Sequence, residues 1–279
     1  MLLQIYNTNL WWCYFMVKIK IISKPKLRNP VLIEGLPGVG NIGRVAVGYM
    51  IEELKAKKFA ELYSKHFFPF VMLHDEFKVH LLKNEFYYVK AKKAGQRDII
   101  FMIGDCQSLS PHGHYEIMEA VLDFAQKFKV KDVITIGGLA TGELEKDPEV
   151  IGAVTDEKLI KKYSKLGIHF DAGERVGYIV GAAGLLIGLC KERGMNGLCL
   201  LGETSGFPIV TDPKSGEMVL NVLTKILKLK IDMDKLEDRV KEMEKFIKKV
   251  EALQKKALME ISKPEKAPVK EKEQLRYIG

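Results

Sequence analysis

The sequence predicts an α/β domain of three layers, a mostly parallel sheet with helices on both faces. Three observations carry that prediction. Short apolar runs alternate with helix-length amphipathic segments from Val17 to about Lys230, as successive β-α-β units do. Several apolar runs end in glycine, at Gly104, Gly137 and Gly202, and ligand crevices in such sheets lie beyond the strand carboxyl ends. At 279 residues, 47% hydrophobic and 29% charged, the chain is long and apolar enough to bury a large core.

The elements follow in order. Val17-Lys18-Ile19-Lys20-Ile21-Ile22 is a regular strand. Val31 to Glu34 is a second strand. It runs into Gly35-Leu36-Pro37-Gly38-Val39-Gly40-Asn41-Ile42-Gly43, and a helix follows from Ile42 to Lys57. Phe70 to Leu73, Glu85 to Lys90 and Asp98 to Ile103 are strands, and the alternation around them suggests a hairpin turning at Lys83-Asn84. Pro111 to Phe128 is a helix capped by Ser110, with proline at its first position. Ile117, Val121, Phe124, Ala125 and Phe128 form its apolar stripe. Asp132 to Ile136 is a strand closed by Gly137-Gly138. Val150 to Val154 and Asn196 to Leu201 are further buried strands. Helices are expected over Asp156 to Leu166, Tyr178 to Arg193 and Gly216 to Leu229.

The pattern then divides the chain. Residues 16–230 form the core domain. In residues 231–261, Leu236, Val240, Met243, Ile247 and Val250 recur at spacings of 4, 3, 4 and 3. This heptad seam marks an amphipathic C-terminal helix that either packs on its own domain or pairs with another subunit, the contact between subunits of a homo-oligomer being the favoured reading. Residues 262–279 carry Pro264, Pro268 and many Lys and Glu, the composition of a flexible tail. The tail ends in the apolar Leu275-Arg276-Tyr277-Ile278-Gly279, read as a docking peptide. Residues 1–15 hold no charged side chain, and Met16 directly precedes the first strand. The expectation is that Met16 is the natural start and residues 1–15 a non-native upstream extension.

Composition narrows the function classes. No apolar run reaches the about 18 residues of a membrane span, so no membrane partner is expected. Cys13, Cys106, Cys190 and Cys199 form no C-x-x-C pair or zinc spacing. Reduced thiols fit a cytoplasmic protein. Of the net charge of +8, residues 225–279 supply +5, from 16 Lys/Arg and 11 Asp/Glu. The acids are interleaved with the bases and no aromatic platform accompanies them, so nucleic acid is not the expected partner.

The glycine turn at 35–43 admits two readings. Gly38, Gly40 and Gly43 fit the dinucleotide fingerprint, which also wants an acid roughly 20 residues on, at the end of the next strand. Glu61 falls near that distance but opens its segment. Asn41-Ile42 stands where a Walker loop has Lys and Ser/Thr. The other reading is a turn whose glycines let helix and strand pack closely. Asp105, Cys106, His112 and His114 invite a metal or nucleophile reading, but His112 and His114 are two apart on a helix and face different ways. Helix capping and loop packing explain that segment, and neither metal nor cofactor is expected. Glu203-Thr204-Ser205-Gly206 lacks the order of a nucleophile elbow. His74, Asp75, Glu76 and His80 read as exposed polar positions.

Taken together the motifs resemble those of the proteasome assembly chaperone family of the second type. The turn with Gly35, Gly38, Gly40 and Gly43 resembles its first glycine motif. Gly104-Asp105-Cys106-Gln107, with Gly113, His114, Tyr115 and Glu116, is similar to its second. Gly137-Gly138-Leu139-Ala140-Thr141-Gly142 and Gly202-Glu203-Thr204 continue the match, in order, over about Pro30 to Leu223. The resemblance implies a nucleoside-phosphorylase-like domain without that enzyme's catalytic residues. It also implies a non-enzymatic, ATP-independent archaeal chaperone or activator that contacts proteasome α subunits or the α-ring of the 20S core particle. A homo-oligomer, trimer to pentamer, is expected. Proteasome activators of the wider class dock through a terminal hydrophobic-Tyr-any triplet. Here Tyr277 is third from the end and Ile278 holds the Tyr place, a shift of about 3.3–3.6 Å along an extended chain. The alternative is a nucleotide-binding or ATP-grasp-like ligase using the turn at 35–43.

Overall fold

The computed structural model describes residues 16–74, 78–142, 147–206 and 211–236, with scattered positions between 238 and 259. The upstream segment 1–15 and the tail 262–279 lie outside the described residues.

Chain order is β1 (Val17–Ile21), β2 (Val31–Gly35), α1 (Ile42–Glu53), β3 (Lys57–Ser64), β4 (Val71–His74), β5 (Lys78–Leu81), β6 (Asn84–Val89) and β7 (Ile99–Gly104). Then come α2 (Pro111–Lys127), β8 (Asp132–Ala140), β9 (Val150–Val154), α3 (Lys158–Tyr163), α4 (Ala172–Arg175), α5 (Ala182–Glu192), β10 (Asn196–Thr204) and α6 (Pro213–Leu227). The main sheet has the order β1-β3-β6-β7-β2-β8-β10-β9. Its four central strands, β7, β2, β8 and β10, are parallel. Antiparallel strands flank them, β6, β3 and β1 on one side and β9 on the other.

Two-residue periodicity divides the core. Val31 and Ile33 of β2 join a cluster with α1 and α6, including Val45, Tyr49, Val219 and Leu223. Leu32, one residue out of phase, joins a cluster with α2 and α5, including Val121, Phe124, Leu186 and Cys190. That is the three-layer α/β arrangement. The chain leaves β2 for β7 on one side, and α2 then carries it back across β2 to β8 on the other. The carboxyl end of β2 is therefore a topological switch point.

Local signals behave as their chemistry requires. Ser110 Oγ accepts the Gly113 N–H at 3.1 Å, with Pro111 at the first helical position. Asp212 repeats the device on α6, accepting the Ser215 N–H at 2.9 Å ahead of Pro213. That start was legible in the sequence, yet the expected helix began three residues later, at Gly216.

Other expectations shift. The helix from Ile42 stops at Glu53 because Lys55 takes a left-handed φ of 51° and the Ala56 N–H turns back to Ile51 O. Lys57 then opens β3, which seats Phe59, Ala60 and Leu62 in the core. Lys83-Asn84 is not a hairpin turn: β5 pairs with β4 in a separate two-stranded sheet, while Asn84 already belongs to β6 of the main sheet. The strand at Asp132 passes through Gly137-Gly138 to Ala140, because β10 stays in register with it as far as Thr204. The helix expected from Tyr178 begins at Ala182, after Gly181 with φ 85°.

Candidate functional site at the carboxyl ends of the central strands

A cleft of about 620 Å³ opens at the switch point. Its floor is Glu34, Leu36, Ile136 and Gly137. The glycine turn, Gln107, Ser108 and His114 line its sides, and Val176, Tyr178, Ile179, Val180 and Gly181 complete the lining, with Tyr178 and Val180 largely exposed.

The turn is built by close approach. A Cβ on Gly35 would stand 2.2 Å from Gly43 O, and one on Gly138 would stand 2.1 Å from Val39 O. The first turn of α1 is thereby pressed onto the ends of β2 and β8. Gly38 is extended, and Gly40 takes a φ of 63° beside Thr204. This is the packing arrangement. The dinucleotide alternative fares worse on topology: Glu61 sits on β3, which β6 and β7 separate from β2, a gap of about 14 Å at the usual strand spacing.

Glu61 belongs instead to a charged wing on β3 and β6. Its carboxylate accepts from Lys83 at 2.7 Å, Lys58 at 3.1 Å and Tyr63 at 3.0 Å. Burial pushes this carboxyl upward, but those bonds overcome it and hold it at about 2. Glu34 has the opposite environment. It is 1% exposed, its Oε1 accepts the Leu36 N–H at 2.9 Å, and its Oε2 has no hydrogen-bond partner among the described residues. Burial raises its carboxyl to about 7, against smaller lowering by the Leu36 and Ile136 N–H groups. In register across the sheet it lies between Met102 and Thr135, with Cys199 one strand further. Burial pushes the Cys199 thiol up to about 12.

The second motif is a joint. Gln107 Nε2 donates to Pro37 O at 2.6 Å, and its Oε1 accepts the Ala182 N–H at 2.9 Å. It thus ties the glycine turn to the start of α5. His114 lies between Ser110 O at 3.0 Å and Gln107 Oε1 at 3.2 Å. Gly113 leaves room for His66, whose Nε2 meets Glu116 at 2.7 Å; His112 reaches the same carboxylate at 3.0 Å. Tyr115 is exposed. Cys106 is buried, and burial together with Asp105 raises its thiol. Among the described residues no group of three His, Cys, Asp or Glu could hold a metal ion. His80, expected to be exposed, is partly buried and bonded to Asp105 at 2.9 Å, because β5 folds back over the loop after β7.

Of the C-terminal seam, Leu236 is buried in its own domain, in the α1–α6 cluster. Tyr49 Oη donates to Asp232 O at 2.6 Å just before it. Further along, Lys249 Nζ reaches Leu73 O at 3.3 Å, and Leu253 packs against the α2–α5 cluster. Val240, Met243, Ile247 and Val250 lie outside the described residues, as do Leu275, Arg276, Tyr277, Ile278 and Gly279.

Sequence reasoning passed over Glu34, Tyr178 and Val180. The signal for the first was a lone acid ending an apolar strand. The other two were absorbed into a helix that begins later. Among the described residues no helix is long and apolar enough to cross a membrane.

The PAC2 family model matches residues 32–251. Over 95% of its length the chain is 37% identical to the uncharacterized protein MJ1210 of Methanocaldococcus jannaschii, covering 99% of that protein. It is similar to PbaB of Pyrococcus furiosus, described as an archaeal proteasome activator: 43% identity, TM-score 0.77, 85% of this chain and 99% of that one. It is also similar to PbaA of the same organism, described as an archaeal homolog of proteasome-assembly chaperone, with 26% identity, TM-score 0.69 and coverage of 87% and 99%.

Proposed function

The chain belongs to the PAC2 family, and on that premise we propose that it is a non-enzymatic, cytoplasmic proteasome chaperone or activator. It acts without ATP and contacts the α subunits or α-ring of the 20S core particle. The observation that carries this reading is the 43% identity to PbaB over 99% of that activator's chain.

Three parts of the proposal have separate tests. The tail Leu275-Arg276-Tyr277-Ile278-Gly279 docks on the α-ring. Its deletion should weaken binding of the full oligomer to purified archaeal 20S particles at least tenfold in biolayer interferometry; unchanged affinity rejects tail docking. ATP with magnesium should leave that affinity unaltered, and calorimetry with ATP and NAD should give no saturable micromolar binding. Saturable binding there favours the nucleotide alternative. The nucleoside-phosphorylase-like domain assembles as a trimer to pentamer, with Val240, Met243, Ile247 and Val250 as subunit contacts. Light scattering should give three to five subunits for the whole chain and fewer after truncation at Asp232. An unchanged mass after truncation places the contact elsewhere.

A further inference from the structure

We propose that the cleft at the carboxyl end of β2 binds a small uncharged ligand, an amide-type carbonyl on an apolar, ring-sized body, with the Glu34 carboxyl as its deep hydrogen-bond partner. This inference stands independently of the proteasome reading.

Four observations point to it. The cleft volume of about 620 Å³ falls in the range of about 300–1,000 Å³ usual for small-molecule sites, and it lies at the switch point where such sheets bind ligands. Glu34 is aimed there by the strand period: it shares the β2 face of Leu32, toward α2 and α5, and it lines the cleft. With Oε1 held by Leu36 N–H, Oε2 is a buried polar atom with no partner in hydrogen-bond geometry among the described residues, although the Ile136 N–H also acts on this carboxyl. Such an atom is costly, by about 1–3 kcal/mol, until something bonds to it.

The chemistry of the lining selects the ligand. The raised carboxyl is in part a neutral acid near pH 7, so Oε2 can donate an O–H to a carbonyl. The cleft lining includes neither Lys nor Arg, so an anionic ligand meets no fixed countercharge from that source. A cation would require Glu34 ionised among Leu36, Ile136 and Leu139, where ion-pair desolvation is expensive. The start of α5, an 11-residue helix whose first N–H is bonded to Gln107 Oε1, adds a positive field that favours a carbonyl oxygen.

The mouth suits an apolar body. Tyr178 and Val180 are 78% and 79% exposed beside the opening, between Gly177 and Gly181, which both take positive φ. Exposed large apolar side chains grouped at a cavity mark a contact surface more than a resting one.

Benzamide, benzoate and benzylamine share one ring and differ in charge, so they test the proposal on the whole chain. Saturation-transfer NMR and calorimetry should detect saturable benzamide binding near the millimolar range, with benzoate and benzylamine at least tenfold weaker. Glu34→Gln keeps an N–H donor and should bind benzamide within about threefold of wild type. Glu34→Leu removes the donor and should lose at least tenfold. Tyr178→Ala, at an exposed position, should weaken binding with Tm unchanged, which keeps the test open if a Glu34 variant folds poorly. The proposal is overturned if no probe binds saturably, if either charged probe matches the amide, or if Glu34→Leu binds benzamide as wild type does. Proteasome binding is not a readout here, so failure of one proposal leaves the other standing.

Discussion

The cleft floor and the β3–β6 wing each bury a glutamate on a strand, and the two carboxyls go in opposite directions. Glu61, 6% exposed, is held at about 2 by Lys83, Lys58 and Tyr63. Glu34, 1% exposed, rises to about 7, with backbone N–H groups as its only lowering contacts among the described residues. Burial pushes both upward; the cations decide the sign. The wing is thus a charge lattice, completed by Lys58 and Lys83 on Glu85 at 2.9 and 2.8 Å. The cleft is held by close backbone packing around one uncompensated acid. A single sheet therefore carries a satisfied polar region and an unsatisfied one, and the unsatisfied one faces a cavity.

The packing half of this contrast is the easiest to break. Gly35→Ala puts a Cβ 2.2 Å from Gly43 O, and backbone cannot swing aside as a side chain does. A loss of about 3 kcal/mol or more is expected in urea denaturation. A loss under 1 kcal/mol means the turn is not tightly seated on the sheet.

The two acids come next. For Glu34 the folded value lies above the ordinary 4.5, so its stability contribution is full below 4.5 and lost as pH rises through about 7. The ramp is on the order of 3 kcal/mol. Glu34→Gln should flatten it, leaving the variant more stable than wild type at pH 8 and close to it at pH 4.5. For Glu61 the folded value lies below 4.5, so stability is present above 4.5 and lost as pH falls toward about 2. Allowing for the partly exposed Lys58, the ramp is about 2 kcal/mol. Glu61→Gln should remove it. Denaturation midpoints from pH 2 to 8 would place both ramps on either side of pH 4.5; a shared direction would end the contrast between the two regions.

Ser110→Ala gives the smallest effect. Losing the cap on Gly113 should cost about 1 kcal/mol and leave the wing's acid ramp unchanged. If that ramp moves as well, the two regions are coupled through α2.

Much of the fold was legible because local chemistry sets it. Ser110-Pro111 announced α2, and the apolar runs at Val31, Asp132 and Asn196 placed β2, β8 and β10. Boundaries failed where a partner decided them. β8 runs through Gly137-Gly138 because β10 pairs with it, and the expected hairpin dissolved because its arms joined different sheets. The site was less legible. The glycine turn admitted two readings, and Gly35 and Gly43 meet backbone where a Cβ would stand, but Glu34 looked like one more strand residue.

By itself the sequence determined the α/β alternation, the helix caps and the glycine turn, since these rest on period and on backbone groups a few residues apart. Only the tertiary structure decided that Glu34 is buried without a cation among the described residues while Glu61 has Lys20, Lys58 and Lys83, that Gln107 joins the turn to α5, and that Leu236 packs into its own domain. Those facts depend on contacts between residues far apart in the chain, and a carboxyl's charge is set by what the fold brings within hydrogen-bond reach of it.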